Sequence, residues 1–298
     1  MTAEAIAKVL GGYRAGATWM ARCPAHDDRN PSLAISADKG GRVLVHCYAA
    51  FSQREVIAAL IDRGLWDARV EDAGRSFQMR RNRAVSEADP NAEARTDAAL
   101  TIWRASQVAE GTLVQAYLRS RGLVVPVPPT LRFHPGMKHP SGGIWPSMVA
   151  LVTHGETGSP IGIHRTFLAR NGFGKAPFNP TKMMLGPCGG GAVRLSEPGK
   201  VLMVGEGIET CLAAMQVTGN PAWAAISTSG LRSLNLPREV RDVIVLADGD
   251  DAGEAAAQHC ARRWKSERRK VRIARPLWGL DFNDMLGNPS FNIDGSEK

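Results

Sequence analysis

No uninterrupted apolar stretch reaches membrane-spanning length, so no transmembrane helix is expected. The first residues, Met-Thr-Ala-Glu-Ala-Ile-Ala-Lys, have neither a basic n-region nor an apolar h-region, and a cytoplasmic location is expected rather than a secretory one. Cysteines number five and lack framework spacing. That excludes a disulfide scaffold and leaves Cys188, Cys211 and Cys260 as reduced, packed or loop residues. No Gly-x-x-x-x-Gly-Lys-Ser/Thr stretch occurs, so the chain carries no P-loop motor. Tyrosine is confined to Tyr13, Tyr48 and Tyr117, and there is neither an internal repeat of domain size nor a low-complexity tract.

Acidic residues are also scarce where basic ones gather. Between Arg119 and Arg194 nine basic residues face a single acid, Glu156, which gives that stretch a net charge of +8, equal to that of the whole chain. A second basic run, from Arg262 to Arg275, follows later. Surplus positive charge suits a polyanionic substrate, because neutralised phosphates release their counterions. For the second run, a solvated helix end whose cations favour the dipole explains the charge equally well.

At 298 residues and 44% hydrophobic content, two or three domains are expected. Residues 1–66 form a small N-terminal unit, and 67–97 mix both signs of charge with few large apolar residues and Pro90, which reads as a charged linker. Ala98 to Arg121 has helical spacing before Pro126, Pro128 and Pro129. Met148 to Val152 and Ile161 to Leu168 read as strands in a mixed α+β region reaching residue 197. A further domain spans 198–290, and 291–298 are a tail.

That last domain holds the most telling pattern. Val201 to Val204 and Val243 to Leu246 have the length and β-branched content of strands buried on both faces, as in a mainly parallel α/β sheet. Each run closes on acids, the first on Glu206 within Gly-Glu-Gly, the second on Asp248 and Asp250 within Asp-Gly-Asp. Ligands of such sheets gather where the strands end. Carboxylates delivered there repel one another unless a cation sits between them, and all-oxygen donors select Mg²⁺ or Mn²⁺. A third acidic group, Asp281-Phe-Asn-Asp284, follows near the C-terminus. Glu209, one helical turn along from Glu206, reads as a solvated acid in the first turn of the helix that runs to Gly219, with membership of the acidic site as the alternative.

The ordered set Glu-Gly, Asp-Gly-Asp and Asp-x-Asn-Asp resembles the Toprim domain, a Rossmann-like metal-binding fold shared by bacterial-type primases, type IA topoisomerases and related nucleases. The resemblance makes Glu206 a metal ligand or general base, Asp248 and Asp250 metal ligands, and Asp281 and Asp284 outer ligands or partners of a second ion. Upstream, Ile161-Gly-Ile-His-Arg-Thr-Phe-Leu, Gly174-Lys175 and Thr181-Lys182-Met-Met-Leu-Gly resemble the basic subdomain that precedes Toprim in primases. There Arg165 and Lys182 face the metal site to hold triphosphate or template, with Lys175 and Arg194 behind them.

At the N-terminus, Cys23-Pro-Ala-His26 and Cys47 have the layout of a zinc ribbon, and with Asn30-Pro-Ser-Leu33 they resemble the zinc-binding module of bacterial and phage primases. The pattern departs from that family at Phe51, where a fourth thiolate is expected. Three readings stay open: a site completed by His46 or water, a weak Zn²⁺ site, or a metal-free ribbon around an apolar core.

Taken together the resemblances imply a DNA primase of the phage, plasmid or integrated-element kind. It would use single-stranded DNA as template and NTPs as substrates, with a replicative helicase supplied in trans. A Toprim nuclease and a catalytically weak single-strand-binding accessory protein are the alternatives. The placement of the three tyrosines, none in a large strand-passage region, argues against a type IA topoisomerase.

Overall fold

The computed structural model describes residues 1–16, 18–26, 28, 31–38, 40–48, 53–66, 91–276 and 282. Two compact units divide the chain, Met1–Asp89 and Pro90–Lys298. Among the described residues no helix is long and apolar enough to cross a membrane.

The first unit opens with α1 (Ala3–Val9), where Thr2 Oγ1 accepts from the Ala5 N–H at 3.2 Å and so satisfies one of the free donors of a helix start. Four antiparallel strands follow, paired in chain order: β1 (Tyr13–Ala15), β2 (Thr18–Ala21), β3 (Leu33–Ala37) and β4 (Val43–Cys47). Then comes α2 (Gln53–Asp62). Ile6, Leu33, Ile35, Val45, Val56 and Leu60 bury one core, and Cys23 and Cys47 belong to it. Phe51 lies outside the described residues, as do Ser52 and Asn30.

Most of the expected linker, up to residue 90, is likewise outside the described residues. Its end is helical: α3 (Ala92–Ala105) begins ahead of Ala98 because Ala92, Glu93, Ala94 and Arg95 are all strong helix formers. The helical spacing that runs on to Arg121 is divided in two. After β5 (Gln107–Val108), Gly111 turns the chain at φ 71°, a conformation only glycine adopts freely. Thr112 then caps α4 (Leu113–Ser120), its Oγ1 accepting from the Val114 N–H at 3.3 Å.

The rest of the second unit is β6 (Leu131–Lys138), β7 (Ile144–His154), β8 (Pro160–Phe167), β9 (Lys182–Leu185), β10 (Gly191–Arg194), β11 (Val201–Gly205), α5 (Ile208–Thr218), β12 (Ala222–Ala224), α6 (Thr228–Ser233), β13 (Asp242–Leu246), α7 (Asp251–Ser266) and β14 (Lys270–Ala274). One mixed sheet of ten strands has the order β14-β13-β11-β12-β10-β7-β6-β5, with β8 on β7 and β9 on β8. Neighbours among β14, β13, β11 and β12 are parallel, whereas β10 is antiparallel to both β12 and β7. Strand alternation sends Met203, Ile244 and Leu246 to one layer with Ile208, Cys211 and Leu212. Leu202, Val204, Val243 and Val245 face the other, against Leu231, Ala257, Cys260 and Trp264. The strands are buried on both faces, as their composition predicts.

Gly253 allows the first turn of α7 to lie on the strand end before it. A Cβ there would stand 2.8 Å from Asp248 Cβ and 3.0 Å from Asp248 N and O. Replacement of Gly253 by Ala is therefore expected to destabilise the protein by about 1–3 kcal/mol through overpacking, measured as a lowered midpoint of urea unfolding. An unchanged midpoint would contradict this packing.

Candidate active site and metal centre

β11 and β13 run parallel with Gly205 beside Leu246, so Glu206 and Asp248 leave the sheet at the same edge. Glu206 is partly buried and its Oε2 accepts from Thr228 Oγ1, in the first turn of α6, at 2.8 Å. Burial, opposed by Thr228 and reinforced by Asp250, holds the Glu206 carboxyl above the usual range. Asp248 is partly buried. Asp250 is exposed and caps α7, its Oδ1 accepting from the Gly253 N–H at 2.7 Å. Asp281 and Asp284 lie outside the described residues; Phe282 between them is buried in the core that holds Ile208 and Leu246. All-oxygen donors beside a carboxyl raised by burial, and further by Asp250, suit a hard divalent cation. Glu206, Asp248 and Asp250 nevertheless do not bring their donor atoms together as the ligands of one ion do among the described residues.

Glu209 corrects the sequence reading. It is no solvated acid but a buried one, 7% exposed, in the first turn of α5. Tyr117 of α4 donates to its Oε1 at 2.6 Å, Lys182 Nζ lies 3.4 Å from Oε2 and Lys175 Nζ 3.9 Å from Oε1. Burial alone would raise the Glu209 carboxyl; Lys182, Lys175 and Tyr117 outweigh it and hold it at about 2. The excess of basic over acidic residues upstream is the one sequence signal that such a partner was required.

Lys182 and Arg165 do not share a face. Arg165 pairs across strands with Met183, and Lys182 with Thr166. Strand alternation places Arg165 with Ile163 and Phe167, which pack against Ala99 of α3, while Lys182 belongs to the side of His164 and Thr166. Arg165 donates to the Met184 carbonyl at 3.3 Å. The position missed by sequence reasoning is its neighbour His164, buried and held neutral, its pKa brought to about 3 by burial and by Lys182. Arg194 lies over Trp223, 4.3 Å from the ring centroid, and donates to the Gly155 carbonyl at 3.0 Å.

In the first unit Cys23, His26 and Cys47 place their donor atoms within 4.8 Å of one another. Cys47 Sγ and His26 Nε2 are 3.4 Å apart. Two such ligands on a tetrahedral zinc stand roughly 3.5 Å apart, given bonds of ~2.3 and ~2.1 Å, so the trio fits a metal. Asp28 Oδ2 braces it, accepting from the Cys23 N–H at 2.5 Å and from Ser32 Oγ at 2.7 Å. His46 is not a fourth ligand: it is exposed, on the opposite side of β4 from Cys47, with its ring edge-on to Tyr48 at 4.8 Å. Trp19 packs against the core of this unit, and Arg42 pairs with Asp38 at 3.5 Å. The remaining cysteines are packed thiols: Cys211 donates to the Trp223 carbonyl and Cys260 to that of Leu231.

Residues 201–290 match the Toprim domain family and residues 93–195 a domain of unknown function, DUF7146. The match to the Toprim domain family thus covers the parallel strands β11 to β14 and the acidic turns between them. No curated protein matches the chain. Among solved structures it is similar to a DnaG catalytic core, at 18% identity and a TM-score of 0.46 over 66% of this chain and 75% of that one. A DnaG primase catalytic domain bound to ssDNA matches at 17% identity and 0.42, over 66% and 76%. The zinc-binding and RNA polymerase domains of the Aquifex aeolicus primase match at 14% identity and 0.42, over 95% and 79%.

The raised Glu206 carboxyl has a signed consequence. A carboxyl that binds its proton more tightly when folded favours the fold at low pH and loses that contribution as pH rises through its folded pKa. The Glu206→Gln variant is therefore expected to melt at or above the wild-type temperature at neutral pH, with its advantage shrinking as pH falls towards about 4. A variant that melts lower at neutral pH and recovers on acidification would reverse the sign and refute the assignment.

Proposed function

We propose that the protein is a DNA primase that synthesises short RNA primers on single-stranded DNA by metal-dependent nucleotidyl transfer. The observation that supports this best is the Toprim domain whose Glu206 and Asp248 share one strand edge, with Lys182 near enough to oppose the rise of the Glu206 carboxyl. Mg²⁺ or Mn²⁺, when bound, would stabilise the attacking and leaving oxygens of the transfer. Glu206 serves as ligand or general base, and Asp248 and Asp250 as ligands, with Asp281 and Asp284 as outer ones. Thr228 keeps Glu206 directed by its hydrogen bond. Lys182 and Lys175 receive phosphate oxygens of NTP or template, next to the acids rather than within them. Arg165 and Arg194 are left with packing and backbone roles.

Zn²⁺ is the metal that Cys23, His26 and Cys47 would hold, with Asp28 and Ser32 fixing the knuckle around it. Among the described residues only three protein ligands gather there, so the bound zinc should be easily stripped. Chelator titration of purified protein is expected to release it readily, and Cys47→Ser to abolish its uptake. Zinc content unaffected by that variant would sink the site.

The decisive assay supplies single-stranded DNA, labelled NTPs and Mg²⁺ or Mn²⁺ and looks for short products. Glu206→Gln and Asp248→Asn should each lower synthesis by roughly a hundredfold or more, while both variants stay folded. Full synthesis in either would end the proposed chemistry, and shortened template in place of primers would make the protein a nuclease.

A further inference from the structure

Two ammonium groups do not gather in a half-buried place without an anion to hold them. Lys175 and Lys182 each leave 39% of the side chain exposed, and both reach one carboxylate, Glu209, that keeps only 10%. Tyr117, itself buried, fixes that carboxylate from a third direction at 2.6 Å. His164, buried on β8 on the same side, adds no charge, and its Nδ1 has no hydrogen-bond partner among the described residues. Arg121, the cap residue at the end of α4, adds to the positive field at Lys175. Two lysines against one carboxylate leave a surplus cation on the exposed side of the cluster. The acid therefore does not neutralise the pair; it aims it.

We propose that Glu209, oriented by Tyr117, is a positioning residue that holds Lys175 and Lys182 as a paired clamp for the phosphates of single-stranded nucleic acid or of a nucleoside triphosphate. The inference rests on the function proposed above and deepens it. The partner carboxylate also keeps the pair charged. Burial and Lys182 lower the Lys175 pKa, Arg121 adds to this, and Glu209 opposes it. Without the carboxylate, Lys175 gives up its proton at a lower pH, so phosphate binding should fail at a lower pH.

The test compares wild type, Glu209→Gln, Glu209→Asp and Tyr117→Phe in two arms: anisotropy of a labelled single-stranded oligonucleotide, and the KM for NTP in primer synthesis. In the arm that uses the clamp, Glu209→Gln should raise Kd or KM roughly tenfold with a smaller change in kcat. Its alkaline limit of binding should move to lower pH. Glu209→Asp, which keeps the charge, should restore part of the loss, and Tyr117→Phe should give a smaller loss in the same direction. A loss confined to the oligonucleotide arm assigns the clamp to template, and one confined to KM assigns it to triphosphate. If Glu209→Gln is folded by circular dichroism and keeps the wild-type Kd, KM and pH limit, the positioning role is wrong. If that variant does not fold, unchanged values in Tyr117→Phe overturn the proposal. Wild-type protein that binds the oligonucleotide but makes no primers refutes the primase reading and leaves the clamp standing; wild type that binds neither oligonucleotide nor NTP removes the clamp.

Discussion

The parallel pairing of β11 with β13 is the constraint on which the site depends. It carries Glu206 and Asp248, distant in sequence, to one edge of the sheet, where burial and the nearby Asp250 both disfavour the charged form of Glu206. Local devices oppose this. A helix begins directly after each acidic turn, so the positive ends of α5 and α7 lie near the carboxylates, and Thr228 donates to Glu206. Gly253 removes the side chain that would separate α7 from Asp248. The same arrangement sets Glu209 on the inner side of α5, where it meets lysines from an earlier part of the chain.

Positive charge in the sequence is a poor measure of positive charge on offer. Arg132 stacks on Trp103, Arg170 on Trp145 and Arg194 on Trp223, with guanidinium carbons 4.5, 4.6 and 4.3 Å from the ring centroids. In the C-terminal run, Arg263 and Arg269 donate to carbonyls between Arg232 and Val240, Arg275 makes two bonds to Glu254, and Lys270 and Arg272 pair with Asp242. Much of that run is therefore held by the protein's own carbonyls and carboxylates, while Arg263 and Lys265 lie in the last turn of α7, where cations favour the dipole.

The strands of the Toprim part were legible because burial on both faces leaves an unbroken β-branched run, and the Asp-Gly-Asp and Gly-Glu-Gly turns marked where they end. Periodicity failed at Ala98 to Arg121 because apolar spacing continues across a turn set by Gly111 and Thr112, not by a proline. It also failed at Glu209. First-turn acids are usually solvated, and only the arrival of Tyr117, Lys175 and Lys182 from other elements buries this one. Arg165 and Lys182 were grouped by motif, although the two-residue alternation of β8 against β9 separates them. The zinc knuckle could be read from spacing, whereas Asp28 and Ser32, which brace it, carry no motif of their own.

The narrow β10 strand sits at a seam. It pairs with β7 through Gly191 and Ala192 and with β12 through Val193 and Arg194, and Trp223 Nε1 reaches across to the Ser196 carbonyl at 3.0 Å. Each side thereby closes a sheet edge that the other would leave as a bare row of N–H and C=O groups, open to pairing with foreign strands. The two segments that match separate families are thus poor candidates for exchange by recombination between them. A breakpoint there would leave each half with a sticky margin.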